Sequence, residues 1–158
     1  MNYAEEIGKI LKEKSLKIST TESCTGGLLS SKLTDISGSS DYITLNLVTY
    51  ANEAKHNLIG VTQDTLDKKG AVSPECAFEM AKGLCNLSKA DICVSTTGIA
   101  GPTGGSFDKP VGLMYSTIFT KERSQTYKIL MDSSTPRIEM KELFTNEVLK
   151  NIYEFIKP

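Results

Sequence analysis

Apolar residues recur at helical spacing along much of this chain. Near its start they alternate with charged residues, which predicts an amphipathic first helix whose apolar face carries Tyr3, Ile7, Ile10 and Leu11. The segment Ser73-Pro74-Glu75 predicts another helix start, because it combines a capping side chain, a proline at the first helical position and an acid in the first turn. A long last helix is expected after Thr135-Pro136, and its predicted buried face carries Ile138, Phe144, Val148, Ile152 and Phe155.

Five further stretches predict β-strands. They are β-rich or alternate apolar with polar residues, and they cover residues 17–21, 43–50, 91–98, 111–119 and 125–131. The last two are separated by a short polar turn, which is typical of a hairpin. Shorter helices are expected at 28–36, from 53 onward and at 63–69. Helices interleaved with strands, together with one hairpin, predict a single α/β domain over residues 1–158 with a mixed sheet.

The charge pattern excludes several classes of partner. The 158 residues carry a formal net charge of −1, and acidic and basic residues are mixed along the chain. No basic run marks a nucleic-acid arm or a membrane-surface helix, so we expect neither nucleic acid nor a membrane as partner. No apolar run approaches the ~20 residues that a membrane span needs. The charged N-terminal segment also lacks the features of a signal peptide.

The chain has four cysteines and one histidine, His56. Their spacing contains no CxxC pair, so no zinc site of the usual kind is expected. A chain of this length can build a core without disulfides. We therefore expect reduced thiols in a cytoplasmic protein, mostly as small buried hydrophobes, at Cys24, Cys76, Cys85 and Cys93.

Three segments combine small, polar and glycine residues where predicted strands end. They are TESCTGG (21–27), VTYANEAKHN (48–57) and TTGIAGPTGG (96–105). Ligand sites in open α/β sheets gather at such strand ends, so the three segments are expected to converge on one site.

Ser23 lies on the strand-to-helix turn of the first segment. Backbone amides of the following helix point outward there and could hold an oxyanion. The alternative is a capped helix start whose glycines merely fit the turn. Cys24 is a competing nucleophile, but His56 would have to be its base and nothing in the sequence brings the two together. A buried structural role for Cys24 is therefore favoured.

Lys55 in the second segment is the candidate base. If Asn52 caps the next helix, Lys55 falls in the first turn, where the helix dipole and partial burial both favour its neutral form. The alternative is a solvated lysine. His56 points about 100° away around the helix, so both side chains are not expected to face one site. Tyr50 could donate a hydrogen bond, line the pocket, or simply pack.

The third segment is glycine-rich and follows an apolar strand. Such loops let backbone amides approach a phosphate closely, although the spacing here matches neither a P-loop nor GxGxxG. Taken alone, the loop indicates an anion site or a tight turn. Arg137, near the start of the last helix, could add a bidentate contact to a phosphate, or it could be an exposed surface residue.

Together these motifs resemble the CinA C-terminal domain family, which includes stand-alone nicotinamide-mononucleotide deamidases. The resemblance rests on TESCTGG, GSS (38–40), VTYANEAK, GAVS (70–73), TTGIAGPTGG and DKPVG (108–112), in this order and spacing. It covers the chain from about residue 5 to residue 156. The resemblance implies a three-layer α/β/α domain and hydrolysis of the carboxamide of nicotinamide mononucleotide, with no metal and no cofactor.

The resemblance also implies roles for particular residues. Ser23 and Lys55 correspond to the serine–lysine dyad of the deamidase, and Tyr50, which matches the tyrosine before NEAK, is expected to be catalytic with them. The implied substrate-binding set is Thr25, Gly26, Gly27, Asn52, Gly98, Ala100, Gly101, Gly104, Gly105 and Arg137, with the amides at 25–27 stabilising the oxyanion. The family pattern GDRxxVR reads STPRIEMK here, so Lys141 replaces the second arginine and lacks its planar fork.

Two alternatives to the deamidase remain open. Larger CinA proteins carry an additional N-terminal nucleotide-hydrolysing domain, which we do not find in this sequence, and are linked by name to competence and DNA damage. The chain could therefore bind a nucleotide or a protein partner without turnover, or act on a different small amide. We expect a homo-oligomer, with a dimer favoured, because C₂ dimers are the commonest soluble assembly.

Overall fold

Five strands form one mixed sheet in a computed structural model that describes residues 1–158. They are β1 (Ile18–Glu22), β2 (Ile43–Val48), β3 (Ile92–Gly98), β4 (Leu113–Phe119) and β5 (Ser124–Leu130). Their order is β2-β1-β3-β4-β5. The strands β2, β1 and β3 are parallel, whereas β4 and β5 form the antiparallel hairpin that the sequence predicts. The carboxyl ends of three parallel strands therefore meet at one edge of the sheet.

Six helices cover the two faces of the sheet. They are α1 (Tyr3–Glu13), α2 (Leu28–Thr34), α3 (Asn52–Ile59), α4 (Gln63–Lys68), α5 (Pro74–Ser88) and α6 (Arg137–Ile156), with a 3-10 turn at Ser39–Asp41. The larger apolar cluster joins one face to α1, α2 and α6, and a smaller one joins the other face to α3, α4 and α5. The three-layer α/β/α fold is thus confirmed. None of the helices is long and apolar enough to cross a membrane.

Small polar residues on the sheet allow α5 to pack very close to it. Ser95 of β3 donates a hydrogen bond to the backbone oxygen of Ala77 over 2.6 Å. On its other side α5 meets α3 at Gly83, where a Cβ atom would lie 1.7 Å from the backbone oxygen of Ile59. The position of α3 therefore depends on a glycine in α5 and on short side chains in β3.

The predicted helix starts were partly right. Ser73 caps α5 as expected, since its hydroxyl accepts a hydrogen bond from the Cys76 amide over 3.1 Å. The expectation that Asn52 caps α3 was wrong, because Ala51 is the cap residue and Asn52 is already helical. The prediction that Ile138 is buried was also wrong. Ile138 is 82% exposed, because the first turn of α6 lies beyond the core and burial begins at Met140.

The cysteines depart from the expectation of four reduced thiols. Cys85 and Cys93 are paired as a disulfide, with Cα atoms 5.6 Å apart. The reason is topological, since a short turn brings the end of α5 beside the start of β3. Cys24 and Cys76 are free and buried, as predicted.

We predict that Gly83→Ala destabilises the protein. Alanine has a helix propensity about 1 kcal/mol better than glycine, so propensity alone would raise the melting temperature. The contact with the Ile59 oxygen outweighs this gain, because overpacking a tight site costs about 1–3 kcal/mol. Thermal denaturation followed by circular dichroism should therefore give a lower melting temperature.

The matched control is Asn86→Ala, at an exposed position of the same helix. It should hold or slightly raise the melting temperature. If Gly83→Ala were as stable as Asn86→Ala, the close packing of α3 on α5 would be refuted.

Candidate active site

The three polar segments converge on one cavity, as their positions after parallel strands predict. The cavity has a volume of about 270 Å³. Arg137 at the start of α6 closes one side of it. No carboxylate is among the lining residues, which are Ser23, Cys24, Tyr50, Asn52, Lys55, Ala71, Val72, Thr97, Gly98, Ile99, Ala100, Gly101, Thr103, Gly104 and Arg137. With the Arg137 guanidinium and no acid, the cavity suits an anionic ligand.

Ser23 and Lys55 are in direct contact within this cavity. The Nζ atom of Lys55 lies 3.0 Å from the Oγ atom of Ser23. The same amine donates to the backbone oxygens of Thr49 and Tyr50, each at 2.8 Å. The lysine side chain is only 1% exposed, whereas the serine remains partly accessible at 9%. All three donors of the ammonium form therefore have an acceptor.

Burial without a counterion sets the electrostatics of Lys55. None of the salt bridges in the protein includes it. Removal from water lowers the pKa of the amine from its ordinary 10.5, and the neighbouring Cys76 and Cys24 oppose that shift to a lesser degree. A lysine in this setting reaches its neutral, proton-accepting form more readily than a solvated one.

Cys24 is not set up as a nucleophile. Burial raises the pKa of its thiol to about 12, so the thiol stays protonated at neutral pH. The one histidine cannot serve it as a base, because the Nδ1 atom of His56 lies 2.7 Å from the Val61 oxygen. His56 is therefore directed away from the cavity, as its position on the helix predicts.

Arg137 links two loops at the mouth of the cavity. Its guanidinium donates to the Gly101 backbone oxygen over 2.7 Å and to the Tyr50 hydroxyl over 3.2 Å. Tyr50 is 58% exposed, so its ring forms part of the rim while its backbone oxygen binds Lys55. The arginine thus holds the loop after β2 against the loop after β3.

The glycine-rich loop lines the cavity and carries amides that have no partner within the protein. Gly98, Ala100, Gly101 and Gly104 line it, and the last three donate no hydrogen bond within the protein. Gly105 was predicted to belong to the site, but it lies outside the lining. A Cβ atom there would lie 2.8 Å from the Val111 amide, so its role is close packing of the loop on itself.

The turn after β1 is arranged differently from the prediction. Thr25, Gly26 and Gly27 do not line the cavity. The amide of Gly26 already donates to the Ser23 oxygen over 3.1 Å, which removes it as an oxyanion donor. The amides of Cys24, Thr25 and Gly27 have no partner within the protein. Cys24, which does line the cavity, therefore replaces Gly26 as a candidate donor.

Several site features were missed from the sequence. Ala71, Val72, Thr97, Ile99 and Thr103 line the cavity but were not among the predicted site residues, although the first two lie in the GAVS motif and the other three in the glycine-rich segment 96–105. The Thr49 backbone oxygen, which accepts a hydrogen bond from Lys55, was also missed, because a backbone acceptor cannot be inferred from side-chain identity. Glu22 was also overlooked, although a carboxylate ending a buried strand is unusual enough to be noticed.

The fold and site define a small three-layer α/β protein with an anion-compatible cavity at the carboxyl edge of its parallel strands. The family model of the CinA C-terminal domain matches residues 1–156. The chain therefore belongs to the CinA C-terminal domain family, the competence/damage-inducible proteins of CinA type, which confirms the resemblance found in its motifs.

Relatives and solved structures agree with this assignment. A protein of Caldanaerobacter subterraneus subsp. tengcongensis, named in the competence-damage inducible class, is 47% identical over 88% of this chain, and a CinA-like protein of Chlorobium limicola is 44% identical over 97%. The chain spans about a third of these curated relatives, 34% and 36% respectively. The crystal structure of competence/damage inducible protein CihA from Agrobacterium tumefaciens superimposes with a TM-score of 0.89 and 36% identity, covering 96% of this chain and 94% of that one.

We predict that Lys55 titrates at lower pH than the other lysines. Its burial without a counterion lowers its pKa, whereas solvated lysines lose their protons near 10.4. In protein labelled with ¹³C at the lysine Cε, one resonance should shift at distinctly lower pH, and Lys55→Met should remove it. A Lys55 resonance that titrates together with the surface lysines would contradict the electrostatics described above.

Proposed function

We propose that this protein is an amidohydrolase that converts nicotinamide mononucleotide to nicotinate mononucleotide and ammonia. One observation carries the proposal: a buried lysine without a counterion contacts a serine at 3.0 Å in an anion-compatible cavity. Serine–lysine pairs of this kind perform nucleophilic acyl transfer. Nothing in the proposed chemistry requires a metal or a cofactor.

In the first step Lys55 acts as a neutral base. The two N–H groups of a neutral amine can still donate to the Thr49 and Tyr50 oxygens, which leaves the lone pair directed at Ser23. The lysine takes the hydroxyl proton as the Ser23 oxygen attacks the carboxamide carbon. The positive pyridinium ring of the bound substrate disfavours an ammonium beside it, so substrate binding itself supports the neutral form.

The tetrahedral intermediate needs hydrogen-bond donors for its oxyanion. The unpaired amide of Cys24, which lines the cavity, follows the nucleophile directly, and one well-placed donor of this type contributes about 3–4 kcal/mol. Protonated Lys55 then gives its proton to the departing nitrogen, the carbon–nitrogen bond breaks, and ammonia leaves. Water, deprotonated by the same lysine, hydrolyses the acyl-enzyme and restores Ser23.

The remote phosphate would be bound at the other end of the cavity. The free amides of Ala100, Gly101 and Gly104 and the Arg137 guanidinium form a donor set suited to phosphate oxygens. Binding energy gained there can hold the carboxamide against Ser23 in the transition state.

We predict that Ser23→Ala and Lys55→Met each abolish deamidation. Loss of a covalent nucleophile or of its base should lower kcat by at least about 10³-fold. Ammonia and nicotinate mononucleotide are measured together after incubation with nicotinamide mononucleotide. Ser31→Ala and Lys150→Met, at exposed positions outside the cavity, are the matched controls and should retain activity.

The pH profile of the same assay tests the base. Protonation of Lys55 removes the proton acceptor, so activity should rise with pH along the acid limb and level off above the lowered pKa of the lysine. Turnover that persists in Ser23→Ala would exclude the proposed nucleophile. Nucleotide binding by folded wild-type protein without turnover would instead favour a non-catalytic binding domain.

We also predict that Arg137 governs recognition of the phosphate. Arg137→Ala should raise KM for nicotinamide mononucleotide by about 10-fold to 100-fold, because a hydrogen bond to a charged group is worth about 1.5–3 kcal/mol. Activity on nicotinamide riboside, which lacks the phosphate, should be low in wild type and unchanged in the variant. Equal losses on both substrates would place Arg137 in loop architecture instead of phosphate binding.

A further inference from the structure

The Glu22 carboxylate is fully buried and has no cationic partner. It ends β1, immediately before the nucleophile, and no salt bridge includes it. Four donors surround its two oxygens: the Thr25 hydroxyl at 2.6 Å, the Leu29 and Ser30 amides at 2.9 Å each, and the Ser30 hydroxyl at 2.6 Å. A buried carboxylate is costly unless it is hydrogen-bonded in this way, and these four donors fix both of its oxygens in place.

A chain of hydrogen bonds leads from this carboxylate to the nucleophile. The single proton of the Thr25 hydroxyl is donated to Glu22, so the 2.8 Å contact between the Thr25 and Thr96 hydroxyls must be donated by Thr96. The Thr96 oxygen in turn accepts from the Ser23 amide over 3.3 Å, and the same amide lies 3.0 Å from the Thr96 backbone oxygen. The Glu22 carboxylate therefore fixes the direction in which the Thr25 and Thr96 hydroxyls donate.

This chain of hydrogen bonds lies on the opposite side of the sheet from the reacting groups. Side chains alternate along a strand, so Glu22 points towards α2 while Ser23 points towards Lys55. Neither Glu22, Thr25 nor Thr96 lines the cavity, so none of them can touch a substrate there. Their direct link to the nucleophile is the Ser23 amide, which contacts Thr96.

We propose that Glu22 is a positioning residue, which fixes the Ser23 oxygen against Lys55 through Thr25 and Thr96. This inference rests on the proposed nucleophilic role of Ser23. The carboxylate also binds the first amides of α2, so the turn between strand and helix is held at both ends. Rigid support of this kind matters because a misplacement of about 1 Å can cost about 10²-fold in rate.

Paired substitutions at Thr96 test the proposal. Thr96→Val keeps the shape and removes the hydroxyl, whereas Thr96→Ser keeps the hydroxyl. We expect Thr96→Val to lower kcat by about 10-fold to 100-fold with KM nearly unchanged, and Thr96→Ser to stay within a few-fold of wild type. If Thr96→Val fails to fold, Thr25→Val takes its place, because it removes the hydroxyl between Glu22 and Thr96. Thr25→Ser, which keeps that hydroxyl, is then its pair.

Thr117→Val controls for stability. Thr117 is a buried threonine of β4 whose hydroxyl pairs with Thr126 at 2.7 Å, and it does not line the cavity. It should lower the melting temperature without changing kcat. The double variant Thr25→Val/Thr96→Val should lower kcat little more than either single substitution does, because both substitutions break the same chain of hydrogen bonds.

A second readout separates this proposal from the choice of substrate. The rate at which a fluorophosphonate labels Ser23, followed by mass spectrometry, requires a correctly placed nucleophile but no particular amide. Slower labelling of Thr96→Val than of Thr96→Ser supports the positioning role even if nicotinamide mononucleotide is not hydrolysed. Equal rates for the two variants, or an unlabelled Ser23 in wild type, would overturn it.

Discussion

A lysine amine buried without a counterion is the constraint on which the site depends. Desolvation makes the charged form of Lys55 expensive, and two backbone oxygens and one serine hydroxyl are all that compensate for it. Fixed acceptors hold the amine in one place. The desolvation that destabilises the ammonium is also what makes the amine a useful base, so the cost to folding and the gain in reactivity have one source.

The topology of the sheet makes this arrangement possible. Parallel strands β1, β2 and β3 end side by side, so a serine after the first, a lysine after the second and a glycine-rich loop after the third can share a cavity. The start of α6 then brings Arg137 across the opening. These four segments, together with Ala71 and Val72, line one pocket, and each needs only a few residues of specific chemistry.

The sequence was informative where a local pattern has one physical meaning. Strand and helix periodicity, the Ser73 cap and the convergence of the three loops were all predictable, because each follows from spacing or from strand direction. The exposure of Ile138 and the cap of α3 were not, because the register between a helix and the core is set by tertiary contacts. The oxyanion amides are equally invisible in sequence, since whether Gly26 is free depends on the exact path of a turn.

The short side chains on the α5 side of the sheet limit which amino-acid substitutions this protein can accept. Ser95 contacts α5 directly, and α5 in turn contacts α3 through Gly83, so any added volume in β3 is transmitted to the helix that carries Lys55. Substitutions that add volume in that layer would therefore alter the reach of the lysine without touching the cavity. The loops can diversify for new ligands, whereas the inner layer must keep its dimensions for the amine to reach the serine.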